Sequence, residues 1–108
     1  MEQITFVNIV RKTYPNITHI RNEGSRTFNQ AAKQKAEGMV KGASDIIIPA
    51  SPAFVCEFKR KDKTKSKVSK EQMAYLEQSA ALGAFSCVAY GYEQALLALK
   101  DWEKIINK

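Results

Sequence analysis

Apolar residues recur at helical spacing in four stretches of this chain and at strand spacing in four others. From Gln3 to Tyr14, the side chains of Phe6, Val7, Val10 and Tyr14 fall on one helical face, and Pro15 ends the run. Ile17, His19 and Arg21 alternate with Thr18, Ile20 and Asn22, which predicts a short strand. Phe28 to Val40, rich in Ala, Lys and Gln, reads as a second helix that ends at Gly38 and Gly42. Ile46-Ile47-Ile48 and Phe54 to Lys59 read as strands, with a turn at Pro49-Ala50-Ser51-Pro52-Ala53 between them. Ser69 and Gln72 have the three-residue spacing of a capping box. The helix they open turns Met73, Leu76 and Ala80 inward and stops at Gly83. Phe85 to Tyr90 is a strand between Gly83 and Gly91, and Glu93 to Ile106 is a last helix striped by Ala95, Leu99, Trp102 and Ile106. The order α-β-α-β-β-α-β-α predicts an α/β fold: a small mixed β-sheet flanked by helices.

The hairpin carries the candidate chemistry. With its turn centred on Ser51, Ile46 faces Cys56, Ile47 faces Val55 and Ile48 faces Phe54. Strand side chains alternate, so Ile46, Ile48, Phe54, Cys56 and Phe58 make one unbroken apolar face. The other face holds Ile47 and Val55 near the turn, and Asp45, Glu57 and Lys59 at the open end. Directly opposed side chains have Cβ atoms about 5 Å apart, and like charges there repel. Asp45 against Glu57 therefore needs a positive charge, which Lys59 supplies in part and a divalent cation supplies better. Two carboxylates on a rigid hairpin are hard oxygen ligands suited to Mg²⁺ or Mn²⁺. A structural salt bridge at a sheet end is the plainer alternative.

Charge sharpens the picture. Seventeen Lys and Arg against eleven Asp and Glu give a net charge of +6, a balance that favours polyanions and nucleic acid first. Much of it lies between Lys59 and Lys70, which holds seven basic residues and one acid. Such a run repels itself and stays solvated. It reads either as a simple connector or as a surface that tracks a phosphate backbone.

Composition removes other classes. A length of 108 residues predicts one domain, 1–108. Hydrophobic residues at 44% and charged residues at 26% exclude a disordered tail, a collagen-like repeat and a coiled-coil rod. The apolar runs stop short of the ~20 residues of a membrane span, so no membrane partner is expected. Met1-Glu2-Gln3 opens no basic and apolar leader, so no secretory signal is expected. Cys56 and Cys87 make no disulfide framework, and with the single His19 they make no zinc finger.

Gly42-Ala43-Ser44-Asp45-Ile46-Ile47-Ile48-Pro49, then Glu57-Phe58-Lys59, then Ser69-Lys70-Glu71-Gln72, then Gly83 and a strand with Gly91, resemble the virus-type replication-repair nuclease (VRR-Nuc) domain. That family belongs to the PD-(D/E)XK nuclease superfamily, with restriction enzymes and archaeal Holliday junction resolvases. The resemblance runs from about Asn22 to the final helix, with one departure: Ser44 stands where Pro commonly precedes the Asp. The stand-alone length is similar to phage-encoded members, which implies the cytoplasm of a bacterial host.

The resemblance implies a restriction-endonuclease-like core and a Mg²⁺- or Mn²⁺-dependent DNA endonuclease, structure-selective for four-way (Holliday) junctions or other branched DNA. Asp45 and Glu57 match the family's metal ligands, with the backbone carbonyl of Phe58 as a third. Lys59 matches the Lys that positions the attacking water, and Gln72 the Gln on the helix that follows. Glu23, in Asn22-Glu23-Gly24, resembles an acidic residue that faces the metal, or is a surface turn residue. Gln72 is a capping-box partner, a site residue, or both. Phosphate contacts fall to Arg26, Lys61, Lys63, Lys65, Lys67 and Lys70. A homodimer is expected, as in stand-alone proteins of that family, with Leu96, Leu97, Leu99, Trp102, Ile105 and Ile106 as interface material. The alternative in a different class is a non-catalytic nucleic-acid-binding module of the same fold.

Overall fold

The computed structural model describes residues 2–20, 43–60 and 67–107. In chain order these form helix α1 (Glu2–Arg11), strands β1 (Thr18–His19), β2 (Ile46–Ile48) and β3 (Phe54–Lys59), helix α2 (Lys70–Ala81), strand β4 (Phe85–Tyr90) and helix α3 (Tyr92–Ile106). The helix expected over Phe28–Val40 lies outside the described residues, as do Glu23, Arg26, Lys61, Lys63 and Lys65.

The four strands form one mixed sheet in the order β1-β2-β3-β4. The hairpin has the register its apolar alternation dictates, with Ile46 opposite Cys56, Ile47 opposite Val55 and Ile48 opposite Phe54. β4 lies parallel to β3, with Phe54 beside Phe85 and Lys59 beside Tyr90. Parallel neighbours need a crossover, and α2 supplies it. Gly83, at a φ of 104° that β-carbons resist, closes α2. Its N–H reaches the Ala80 carbonyl and that of Ala84 reaches Ser79, the paired bonds of a Schellman ending.

The sheet separates two environments. On one side Ile46, Ile48, Phe54 and Cys56 meet Phe6, Val7 and Val10 of α1 and Ala95, Leu99 and Trp102 of α3 in a single buried cluster. Each large side chain buried there contributes about 1.5–3 kcal/mol. The Trp102 indole N–H donates to the Pro52 carbonyl at 2.8 Å, which ties α3 to the hairpin turn. The other side, which bears Glu57 and Lys59, is crossed by α2.

Three elements differ from expectation. α1 ends at Arg11, three residues early, because Pro15 disfavours helical backbone at Tyr14. Released from the helix, Tyr14 packs edge-on against Trp102 with ring centres 5.1 Å apart, and its hydroxyl donates to Glu103 Oε2 at 2.6 Å. β1 is two residues long where the alternation predicts six, although the Ile20 N–H still donates to the Asp45 carbonyl, and Arg21 and Asn22 fall outside the described residues. In α2, Leu76 is buried as expected, but Met73 is 43% exposed and Ala80 is exposed. Gln72, Tyr75 and Ser79 take the inward positions beside Leu76, because polar bonds from Gln72 to β3 set the rotation of the helix.

Candidate active site

Asp45 stands one residue before β2, and Glu57 lies on β3 directly beyond the Ile46–Cys56 pair. The hairpin register thus brings the two carboxylates face to face, as the alternation requires. The Phe58 N–H donates to Asp45 Oδ2 at 3.1 Å and fixes that side chain across the open end of the hairpin. Glu57 is only 1% exposed. Val55 precedes it on its own face and Val88 of β4 stands beside it in register, so its walls are apolar.

Glu57 is supported on one oxygen and not on the other. Its Oε2 accepts from Gln72 Nε2 at 3.0 Å, with the Lys59 ammonium 3.7 Å away. Its Oε1 is buried and meets no hydrogen-bond partner among the described residues. Burial is the largest influence on this carboxyl, followed by hydrogen bonding and charge from Asp45. Together they outweigh the charge of Lys59 and push its pKa from 4.5 up to about 8.

Lys59 and Gln72 complete the cluster. Lys59 lies two residues past Glu57 on the same face, and its Nζ donates to Gln72 Oε1 at 3.0 Å. Gln72 is also the third residue of α2, and its Oε1 accepts from the Ser69 N–H at 2.9 Å while its own N–H donates to Ser69 Oγ at 3.1 Å. One amide therefore closes the capping box and also bridges Glu57 to Lys59.

The donor set suits a hard divalent cation. Two facing carboxylates, one with an orphaned buried oxygen, offer what Mg²⁺ and Mn²⁺ take. Among the described residues no cluster of three or more His, Cys, Asp or Glu is found. Glu23, the expected third carboxylate, lies outside them. Of the basic residues assigned to DNA, Lys67 and Lys70 are described, and both are exposed near the N-terminus of α2.

Other features beside the site go beyond the sequence expectation. The backbone bond from Phe58 to Asp45 follows from continuing the hairpin one step, a signal present in the register. Ser44 is fully buried, and its Oγ has no partner among the described residues; no pattern in the chain foretells it. Cys56 and Cys87 are register partners on the core face and both are free. A hydrogen bond to Cys87, then burial, holds the Cys56 thiol well above its ordinary pKa, so it stays neutral.

No family model matches the chain, and no curated protein matches it in sequence. Among solved structures, it is similar to a VRR_NUC domain protein with a TM-score of 0.80 and 21% sequence identity, over 95% of this chain and 85% of that one. Likeness at this identity is likeness of fold. The facing carboxylates and Lys59 thus lie on a four-stranded mixed sheet and Gln72 on the helix that crosses it, and this arrangement has the VRR-Nuc fold.

Proposed function

We propose that the protein is a Mg²⁺- or Mn²⁺-dependent DNA endonuclease that hydrolyses phosphodiester bonds, selective for four-way junctions or other branched DNA. The observation that carries this reading is a buried Glu57 facing the half-buried Asp45, with Lys59 two residues on, set in a fold shared with a VRR_NUC domain protein.

Asp45 and Glu57 would hold the ion, and the resemblance adds the Phe58 carbonyl and Glu23. When bound, a divalent ion lowers the pKa of a water and offsets charge on the scissile phosphate. Lys59 does two things. Its ammonium, held by Gln72 Oε1, orients the attacking water and places positive charge against the developing negative charge. Gln72 holds Glu57 Oε2, which leaves the other oxygen, without a partner among the described residues, for the ion. Arg26, Lys61, Lys63, Lys65, Lys67 and Lys70 contact phosphates without reading bases, which suits recognition of shape over sequence.

Cutting a symmetric junction requires two related phosphates, so a two-fold homodimer fits the substrate. On α3, Leu99 and Trp102 are spent in the core and Leu96 and Ile106 are half-buried against it. Leu97, 63% exposed, and Ile105, 45% exposed, remain for a second copy. The chain serves as a single domain over 1–108 in the cytoplasm of a bacterial host.

The test is a cleavage panel of duplex, single strand, flap, splayed arm and four-way junction, each with Mg²⁺, Mn²⁺ or EDTA, with light scattering for mass. Cutting of branched DNA with either metal, its loss in EDTA, and a dimer are expected. A protein that binds every substrate and cuts none would be a binding module instead.

A further inference from the structure

We infer that Ser69 is a positioning residue for this site: the capping box of α2 holds the Gln72 amide in the place and orientation that meet both Glu57 and Lys59. The kinetic consequence rests on the nuclease reading; the geometry does not.

A glutamine amide has nearly the same shape when its oxygen and nitrogen exchange places, but opposite hydrogen-bonding character. Here the choice has consequences at both ends. Nε2 donates to Glu57 Oε2 at 3.0 Å, and Oε1 accepts from Lys59 Nζ at 3.0 Å. Turned over, the amide would set a carbonyl against the carboxylate and an NH₂ against the ammonium.

The pair itself disfavours the turned state, and a second constraint on it lies outside the pair. Ser69 N–H donates to Oε1 at 2.9 Å, and a backbone N–H can only donate. It therefore accepts one orientation of the amide. That N–H is held in place because Ser69 is extended, at φ −73° and ψ 166°, with its Oγ accepting the Gln72 N–H at 3.1 Å. The hydroxyl thus closes the box, the box steadies the amide, and the amide bridges Lys59 and Glu57, whose ion pair spans 3.7 Å. Without the hydroxyl the Ser69 N–H is held less firmly, and the bridge from Gln72 to Lys59 and Glu57 loosens.

The test compares Ser69→Ala, Ser69→Gly and Ser69→Thr with Ala80→Gly. Glycine caps a helix almost as well as serine yet has no Oγ, so Ser69→Gly loses the hydroxyl at little cost in stability. Ala80→Gly weakens the same helix at an exposed position remote from the cluster. The first readout is the Gln72 side-chain amide in ¹H–¹⁵N spectra of metal-free protein, by shift and hydrogen exchange. The second is kcat and KM for cleavage.

Ser69→Ala and Ser69→Gly should move the Gln72 amide signals, speed their exchange and lower kcat by roughly tenfold or more with KM little changed. Ser69→Thr and Ala80→Gly should keep the wild-type amide and kcat. Wild-type amide signals in Ser69→Ala and Ser69→Gly would overturn the inference, and so would an Ala80→Gly variant that reproduces their effects. A wild-type protein that cuts no substrate overturns the nuclease reading alone, since the amide spectra still decide the role of Ser69.

Discussion

Strand β3 has two faces whose burial is alike and whose energetics are opposite. Phe54 and Cys56 point into the α1–α3 core at 0% exposure, and Glu57 points the other way at 1%. On the core face the buried cluster is built of apolar side chains and burial stabilises. On the other face burial isolates a carboxyl from water, beside a second carboxyl, with one oxygen unpartnered among the described residues. Removing water from such a group costs free energy unless a partner replaces it. One face holds the fold together; the other keeps a deficit that a cation can fill.

Substitutions on the two faces should therefore separate activity from stability. Asp45→Ala and Glu57→Gln are expected to lower cleavage by about 10³-fold or more, since each removes a ligand for the ion. Both should keep a wild-type far-UV spectrum and DNA binding in Ca²⁺. Full activity of Asp45→Ala in a preparation free of host nuclease would refute the site. Trp102→Ala breaks the other face. It should cost about 3–5 kcal/mol in denaturant unfolding, a large part of a typical domain's stability. Its activity per folded molecule should stay near wild type.

The contrast is sharpened by pH. The fold holds a proton on Glu57 up to about 8, where an unfolded chain releases it near 4.5. Between those values the native state binds more protons, so stability of the metal-free protein should fall as pH rises, by at most about 1.4 kcal/mol per unit. Glu57→Gln should flatten that slope in melts recorded from pH 4.5 to 8. A slope unchanged by the substitution would assign the deficit to another group. The smallest effect is expected at Ser44, where a buried hydroxyl without a partner among the described residues sits on the core side. Ser44→Ala should leave stability equal or raise it by roughly 1 kcal/mol, measured as a shift in denaturant midpoint.

The hairpin was the most legible part of the chain, because a two-residue period allows one register that hides Ile46, Ile48, Phe54 and Cys56 together. That register alone brings Asp45 to Glu57. β4 and the last helix were also legible, bounded by Gly83 and Gly91 and by the Ala95–Leu99–Trp102 stripe. Less legible was the rotation of α2. Its apolar residues favour Met73 inside, but its amphipathicity is weak, and contacts from Gln72 to residues on a distant strand decide the matter. Periodicity records what prefers to leave water; it is blind to an amide bridging two charges. The end of α1 shows the same limit, since Tyr14 leaves the helix for partners, Trp102 and Glu103, that only the fold brings near.

The most direct measurement is calorimetric titration of Mn²⁺ into wild-type protein and Glu57→Gln, in buffers of different ionisation enthalpy, at pH 6.5 and pH 9. With the Glu57 carboxyl protonated up to about 8, an ion bound there displaces a proton at the lower pH and none at the higher. Saturable binding is expected, with an enthalpy that varies with buffer at pH 6.5 only and is lost in Glu57→Gln. Binding that survives that substitution, or no saturable heat in wild type at either pH, would contradict a metal site at Asp45 and Glu57.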